Sequence, residues 1–262
     1  VYSLKCHEIP IDTSRIAKGI AIINLFPIAE GERITAMVPV ADFHEKTFIL
    51  MATANGEIKK TAVTNFEAVR SSGLIATDLP EGDELVATCL ATDKDEVILV
   101  TQQGQSIRFN VSSLRASSRT SGGVRGIRLG KDDKVVSMDR VIKGGYLLVA
   151  TTFGFGKLTP LDRYPKQHRA GGGVLTFHVI DKSGEVVAAR VVADKDLVMI
   201  ISAEGIVTCT PTREKDPRQG ITIQGRSTQG VRLMRLGAGD RIVTLTAFSS
   251  EEEKGKSKEK ED

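Results

Sequence analysis

Four glycines of this chain, Gly56, Gly104, Gly154 and Gly205, stand 48, 50 and 51 residues apart. Each separates two runs rich in β-branched and apolar residues: 48–53 from 58–61, 97–101 from 107–109, 146–151 from 157–160, and 197–201 from 207–210. A glycine between two such runs supplies the positive φ of a hairpin turn. A fixed period of about fifty residues is the mark of a repeat architecture. A unit of this size cannot bury its apolar strands alone, so neighbouring units must pack around a shared axis.

The hairpin closes a longer recurring order. Each unit opens on a turn with an arginine four residues before a glycine: Arg15 and Gly19, Arg119 and Gly123, Arg169 and Gly173, Arg226 and Gly230, with Arg70 and Gly73 one residue closer. A polar turn follows, at 30–32, 81–83, 131–133, 183–185 and 239–240, and then an apolar run, at 34–38, 85–87, 135–138, 186–188 and 242–245. The pattern predicts an all-β, propeller-like fold of four-stranded blades. Full repeats span 11–69, 70–117, 118–168 and 169–224; a partial repeat covers 225–248; residues 1–10 read as a strand ending an incomplete first blade. Residues 249–262 hold six acidic side chains and four lysines and read as a charged, disordered tail.

Composition narrows the function classes. No apolar run approaches the roughly eighteen residues of a spanning helix, so no membrane partner is expected. The chain opens on Val1 in a strand pattern without an initiator Met or a secretory signal pattern, which reads as a fragment boundary. Cys6, Cys89 and Cys209 are odd in number and far apart, which excludes a disulfide framework and paired zinc spacing and predicts buried, reduced thiols in a cytosolic protein. The four histidines show no ligand spacing, so no metal site is expected. Formal net charge is +3 for the whole chain, and with the acidic tail set aside residues 1–248 carry 32 basic and 27 acidic side chains, or +5. A mildly basic body is compatible with nucleic acid.

Catalytic motifs are absent: there is no Ser-His-Asp order, G-x-S-x-G, P-loop or H-E-x-x-H. Tyr2 and Tyr146 lie in strand patterns and Tyr164 in a loop, where packing is the simpler role. Gly171, Gly172 and Gly173 precede a β pattern, so the helix N-terminus of a phosphate cradle is missing. The cations carry more. Arg15, Lys18, Arg70, Arg119, Arg169 and Arg226 recur in the connection before each first strand. Lys59, Lys60, Arg108 and Lys157 recur in closing strands, and Arg125, Arg128, Arg232 and Arg235 follow the third and fifth turns. In a radial repeat these connections fall at similar radius and height, which predicts a ring of positive charge. Guanidinium forks match phosphate oxygens, and nearby glycines let backbone N–H groups approach them. No recognition helix is evident, so the pattern suits phosphate tracking rather than base reading. The plain alternative is a solvated surface, since arginine also packs and caps in turns.

The stretches 119–129 and 225–236 resemble repeats of the C-terminal domain family of DNA gyrase A subunits, and so do Val1-Tyr2-Ser3-Leu4-Lys5, Met51-Ala52-Thr53-Ala54-Asn55-Gly56 and Phe155-Gly156-Lys157. The resemblance runs through residues 1–248. It implies a β-pinwheel, a propeller-like disc whose blades exchange strands, that wraps double-stranded DNA on a basic rim. It further implies a cytoplasmic, nucleoid-associated setting and a heterotetramer of A and B subunits that supercoils DNA negatively with ATP. Cleavage tyrosine, ATP and magnesium are then bound elsewhere, and this chain alone needs no cofactor and is not an enzyme. The family's gyrase box, Gln-Arg-Arg-Gly-Gly-Lys-Gly, belongs to the first blade, ahead of the strand like 1–5. Residues 167–173 match it at four of seven positions, Gln167, Arg169, Gly171 and Gly173, as a later blade's equivalent turn. Two other readings stand beside this one: the related C-terminal domain of the topoisomerase IV A subunit, whose repeats are fewer and more degenerate, and a β-propeller protein-interaction scaffold. WD repeats are disfavoured by the absence of Trp.

Overall fold

The computed structural model describes residues 1–11, 20–213 and 220–249. Its sheets are built from fifteen strands: β1 (Phe48–Thr53), β2 (Glu57–Ala62), β3 (Leu85–Ala91), β4 (Glu96–Thr101), β5 (Gln105–Asn110), β6 (Val124–Arg125), β7 (Val135–Arg140), β8 (Tyr146–Thr151), β9 (Phe155–Pro160), β10 (Val174–Leu175), β11 (Val186–Val192), β12 (Asp196–Ser202), β13 (Val207–Pro211), β14 (Val231–Arg232) and β15 (Ile242–Ser249). The hairpins β1–β2, β4–β5, β8–β9 and β12–β13 turn at the four periodic glycines. All four glycines have φ between 80 and 85°, as the period predicts.

The sheets do not coincide with the sequence repeats. They run β3-β1-β2-β6, β10-β5-β4-β7, β11-β8-β9-β14 and β13-β12-β15. Each four-stranded sheet thus joins the hairpin of one repeat, the long strand of the next repeat and a two-residue strand of the repeat after that. This forward exchange is the pinwheel arrangement: all-β and propeller-like, with each unit completed by its two successors. All pairings between these strands are antiparallel, and in every sheet the register of the first hairpin strand against the long strand shifts near the hairpin strand's end, at Ala52/Thr53, Val100/Thr101 and Ile201/Ser202 and, on the long strand opposite Thr151, at Val186/Ala188.

Packing explains why the hairpin strands are continuously apolar. Along β4, Val97 and Leu99 pack into a core with Leu50, Ile58, Ile107, Phe109 and Met138, while Ile98 and Val100 face a second core with Leu147, Val149, Leu161 and Phe177. Tyr146, Leu148 and Ala150 of β8 enter a third core with Leu158, Val198, Ile200, Ile242 and Leu245. Alternate residues of a strand point to opposite faces, so a strand with sheets on both sides is apolar at every position. The long strands β3, β7, β11 and β15 contact one another in succession and form the hub. There the Ala189 N–H donates to Ser137 Oγ at 2.9 Å and the Val191 N–H to Asp139 Oδ2 at 2.9 Å. The two-residue strands lie at the opposite edge of each four-stranded sheet, the rim.

The periodic polar turns also acquire a role. Asp83, Asp133 and Asp240 accept through Oδ1 the N–H of Asn55, Gln103 and Glu204, at 3.0, 2.9 and 3.1 Å. Each acceptor lies one repeat after the hairpin it grips, beside that hairpin's glycine. This carboxylate satisfies a turn donor that the ladder leaves open.

Three expectations change. Residues 1–10 contain a short helical turn, Cys6–Glu8, instead of a strand. Residues 34–38 form no strand, because the hairpin of a preceding repeat that would pair with them is absent among the described residues. Cys6 and Cys209 are exposed; only Cys89 is half-buried, and burial pushes its thiol up to about 12. The tail from 250 onward lies outside the described residues.

Candidate nucleic-acid interface

Three rim turns are built alike. The N–H groups of Ser117, Gln167 and Gln224 donate to the carbonyls of Lys60, Arg108 and Leu158, at 2.9, 2.8 and 2.8 Å. Two residues further on stand Arg119, Arg169 and Arg226, and four residues beyond those come Gly123, Gly173 and Gly230. The turn then enters β6, β10 or β14 and pairs with the outer hairpin strand of a sheet two repeats back. A glycine is required at 173: φ is +75°, and a Cβ would lie 2.4 Å from the Ser106 carbonyl oxygen.

The three arginines share one contact. Nη1 of Arg119, Arg169 and Arg226 donates to the carbonyl oxygen of Ile75, Arg125 and Leu175, at 3.3, 3.2 and 3.4 Å. Each acceptor lies two residues past the turn glycine of the preceding repeat. Each half-buried guanidinium therefore bridges successive turns with one of its five N–H donors. Around them Arg70, Arg125, Arg128, Arg232 and Arg235 are exposed, and the Arg232 guanidinium lies 5.0 Å from the Phe155 ring centre. Arg15 and Lys18 lie outside the described residues.

The closing-strand cations are arranged otherwise. Lys157, 0% exposed, donates to the carbonyls of Gly225, Arg226 and Thr228 at 2.6, 2.6 and 3.0 Å and to Thr228 Oγ1 at 2.9 Å. Burial, with Arg226 alongside, pulls its ammonium down to about 8. Lys59, 3% exposed, donates to the carbonyls of Ala76, Arg119 and Ser121 at 2.9, 2.5 and 2.7 Å. Burial lowers its pKa, against the pull of Asp78. Lys60, 4% exposed, pairs with Asp93 and donates to the Leu114 carbonyl at 3.1 Å. Arg108 binds Glu96 at 2.6 Å and the Leu161 carbonyl at 2.6 Å, and Lys166 shares that carboxylate at 2.5 Å. Burial alone would raise the Glu96 pKa, but the hydrogen bonds from Lys166 and Arg108 together hold it below the ordinary value.

These four residues were expected among the DNA contacts. The geometry corrects that for Lys59, Lys60 and Lys157: an enclosed ammonium committed to protein acceptors does not present itself to an external phosphate. Arg108 is half-buried and likewise spent on internal partners. Conversely, Arg115, Arg163 and Lys166 are exposed in the connections leading to the rim turns and escaped the sequence reading, which followed cations of the turns and closing strands and passed over the connections between them. Their signal was available: all lie within the nine residues before Arg119 or Arg169. Tyr146 and Tyr164 are buried in the cores.

Comparison with known proteins fits this architecture. Residues 1–41, 47–88, 95–142, 145–193 and 221–249 match the family described as DNA gyrase C-terminal domain, beta-propeller. The chain is 53% identical over 248 residues, 95% of its length, to a DNA gyrase A subunit of Dehalogenimonas lykanthroporepellens, of which it covers 30%. To the DNA gyrase A subunit of Escherichia coli it is 42% identical over 94% of its length, covering 27% of that protein. The chain thus spans less than a third of these relatives. Among solved structures, the C-terminal domain of DNA topoisomerase IV superposes with a TM-score of 0.79 at 25% identity, over 89% of this chain and 71% of that one. A DNA gyrase A C-terminal domain gives 0.78 at 23% identity, over 88% and 76%, a likeness of fold.

Proposed function

The chain belongs to the DNA gyrase C-terminal domain family, and we propose that it binds duplex DNA along its rim and bends it, without reading sequence. The observation that carries this reading is the equivalence of Arg119, Arg169 and Arg226, one per rim turn and each anchored on the turn before. Cations fixed at successive sheets meet phosphates at successive points only if the duplex follows the curve of the rim. Arg125, Arg128, Arg232 and Arg235 extend the track with exposed charge. Phosphate contacts position a duplex but carry no base information, so the binding is non-specific.

Within a whole gyrase the bent duplex would supply the segment for strand passage, and ATP-dependent negative supercoiling would follow from the hand of the wrap. In that setting the partners are the rest of the gyrase A polypeptide and its B counterpart, in the cytoplasm at the nucleoid. Nucleotide, magnesium and the cleavage tyrosine act on those other parts, and this chain contributes binding rather than catalysis.

The test is duplex affinity across a salt series. A steep linear fall of log affinity with log salt supports phosphate tracking, with a slope of about 0.9 per neutralised phosphate. Affinity that is absent or indifferent to salt sinks the reading and favours a protein-binding scaffold.

A further inference from the structure

One strand position beneath the rim differs between the turns. Val124, Val174 and Val231 pair with Ile58, Ser106 and Gly156, so the next residues, Lys59, Ile107 and Lys157, occupy equivalent places under turns 118–122, 168–172 and 225–229. At two of the three places an ammonium gathers the carbonyls of the turn above it. Lys59 takes those of Arg119 and Ser121; Lys157 takes those of Gly225, Arg226 and Thr228.

The peptide bond transmits this inward pull to the outer surface. No peptide in the described chain is cis, and in a trans peptide the C=O and the following N–H point in opposite directions. Carbonyls drawn down to a buried ammonium therefore turn the N–H groups of Thr120 and Gly122, and those of Arg226, Ser227 and Gln229, away from the sheet. None of these five N–H groups donates to another backbone group among the described residues. Thr120, Gly122, Ser227 and Gln229 are exposed, and Arg119 with Arg125, or Arg226 with Arg232, flank them.

The turn over Ile107 lacks this arrangement. All three turns accept one N–H from the strand or loop after the preceding turn, Ser121 from Asp78 at 3.1 Å, Gly171 from Arg128 at 2.8 Å and Thr228 from His178 at 3.0 Å, but only here is a turn N–H also spent there, that of Ala170 on the Gly126 carbonyl at 2.6 Å. Ala170 sits at φ +68°, a conformation that the other two turns avoid. Without a cation below, this turn directs the Ala170 N–H sideways to its neighbour.

We propose that Lys59 and Lys157 are positioning residues that hold turns 118–122 and 225–229 as backbone cradles, each for one DNA phosphate, while turn 168–172, with no cation beneath it and its Ala170 N–H taken, forms no such cradle. Convergent backbone N–H groups form an anion-binding concavity, and flanking guanidinium groups supply the charge. The proposal rests on the DNA-binding reading above and adds to it which rim atoms take phosphate and what aims them.

The test uses the 262-residue chain, labelled for amide NMR and titrated with a short duplex of mixed sequence. Saturable downfield shifts of the amide protons of Thr120, Gly122, Ser227 and Gln229, with Ala170 unmoved, are expected. In Lys157→Met, duplex affinity should fall about three- to tenfold, the effect of losing one or two net hydrogen bonds. Its salt slope should match the parent, because neutral N–H donors displace no counterions. A purely structural lysine would leave affinity unchanged in a folded variant, and that result overturns the proposal. So do silent turn amides at saturating duplex, a measurement on the unsubstituted chain that needs no variant to fold. Duplex binding with silent amides removes the cradles alone; no binding at all removes them together with the DNA reading.

Discussion

Arg169 donates through Nη1 to the carbonyl oxygen of Arg125 at 3.2 Å, so a cation of one rim turn is anchored on the strand that leaves the turn before it. Arg119 with Ile75 and Arg226 with Leu175 repeat the link. The rim is thereby a chain of guanidinium groups held in register with the sheets, which is what a phosphate track requires.

Replacing Arg119, Arg169 and Arg226 together with Ala should weaken duplex binding and lower its salt slope by about 0.9 for each phosphate that is no longer neutralised. The fold should survive, since each replacement removes one partly exposed hydrogen bond of about 0.5–1.5 kcal/mol. Binding isotherms at several salt concentrations, with urea unfolding as control, measure both. An unchanged slope would move the DNA path off these turns.

Gly173→Ala should cost more stability than Gly82→Ala. Both positions are left-handed, at φ +75° and +78°, so each substitution carries a backbone penalty of about 1–2 kcal/mol. At Gly82 nothing lies within 4 Å of an added Cβ, whereas at Gly173 the Ser106 carbonyl oxygen lies 2.4 Å away. Equal urea midpoints for the two variants would contradict the close approach of rim turn and β5.

Lys157 links pH to stability and to binding with opposite signs. Its folded pKa, about 8, lies below the unfolded lysine value, so between the two the unfolded chain holds more protons. This residue therefore makes stability rise with pH across that window. Deprotonation also removes one of the three donors that hold turn 225–229, so duplex affinity should decline as pH passes about 8. In Lys157→Met both dependences should vanish. Urea midpoints and affinities across the same pH range check the pair.

Glu96→Gln should destabilise the fold by about 1–3 kcal/mol, because Arg108 and Lys166 share that carboxylate. The folded Glu96 pKa is depressed, so its contribution is complete above the unfolded carboxylate value and is lost as pH falls through the folded one. The acid limb of the stability profile should therefore be shallower in the variant. Parallel acid limbs would show that the carboxylate is not held this way.

Period, hairpin glycines, fold class and rim arginines were legible because each is a local feature repeated in register. Sheet membership was not, since β3 reads as part of one repeat yet completes the sheet of the repeat before it. The inward lysines were misread for a related reason. Charge usually marks a solvated face, but the outer hairpin strands β2 and β9 are covered on both sides, and Lys157 stands between the buried Gly156 and Leu158 inside one. Aligning the repeats does carry the warning: Ile107 shares the column of Lys59 and Lys157, and an isoleucine there marks an interior position. The acidic turns looked like ordinary turn chemistry because the N–H that Asp133 accepts, on Gln103, lies 30 residues away.

The central claim, that the rim bends duplex DNA along its arginines, is tested most directly by closing nicked circular DNA with ligase while this chain is bound. A shift in linking number of positive sign, growing with protein until saturation and reduced in the triple arginine variant, is the predicted result. Circles closed at the same linking number with and without protein, or shifted equally by parent and variant, would contradict it.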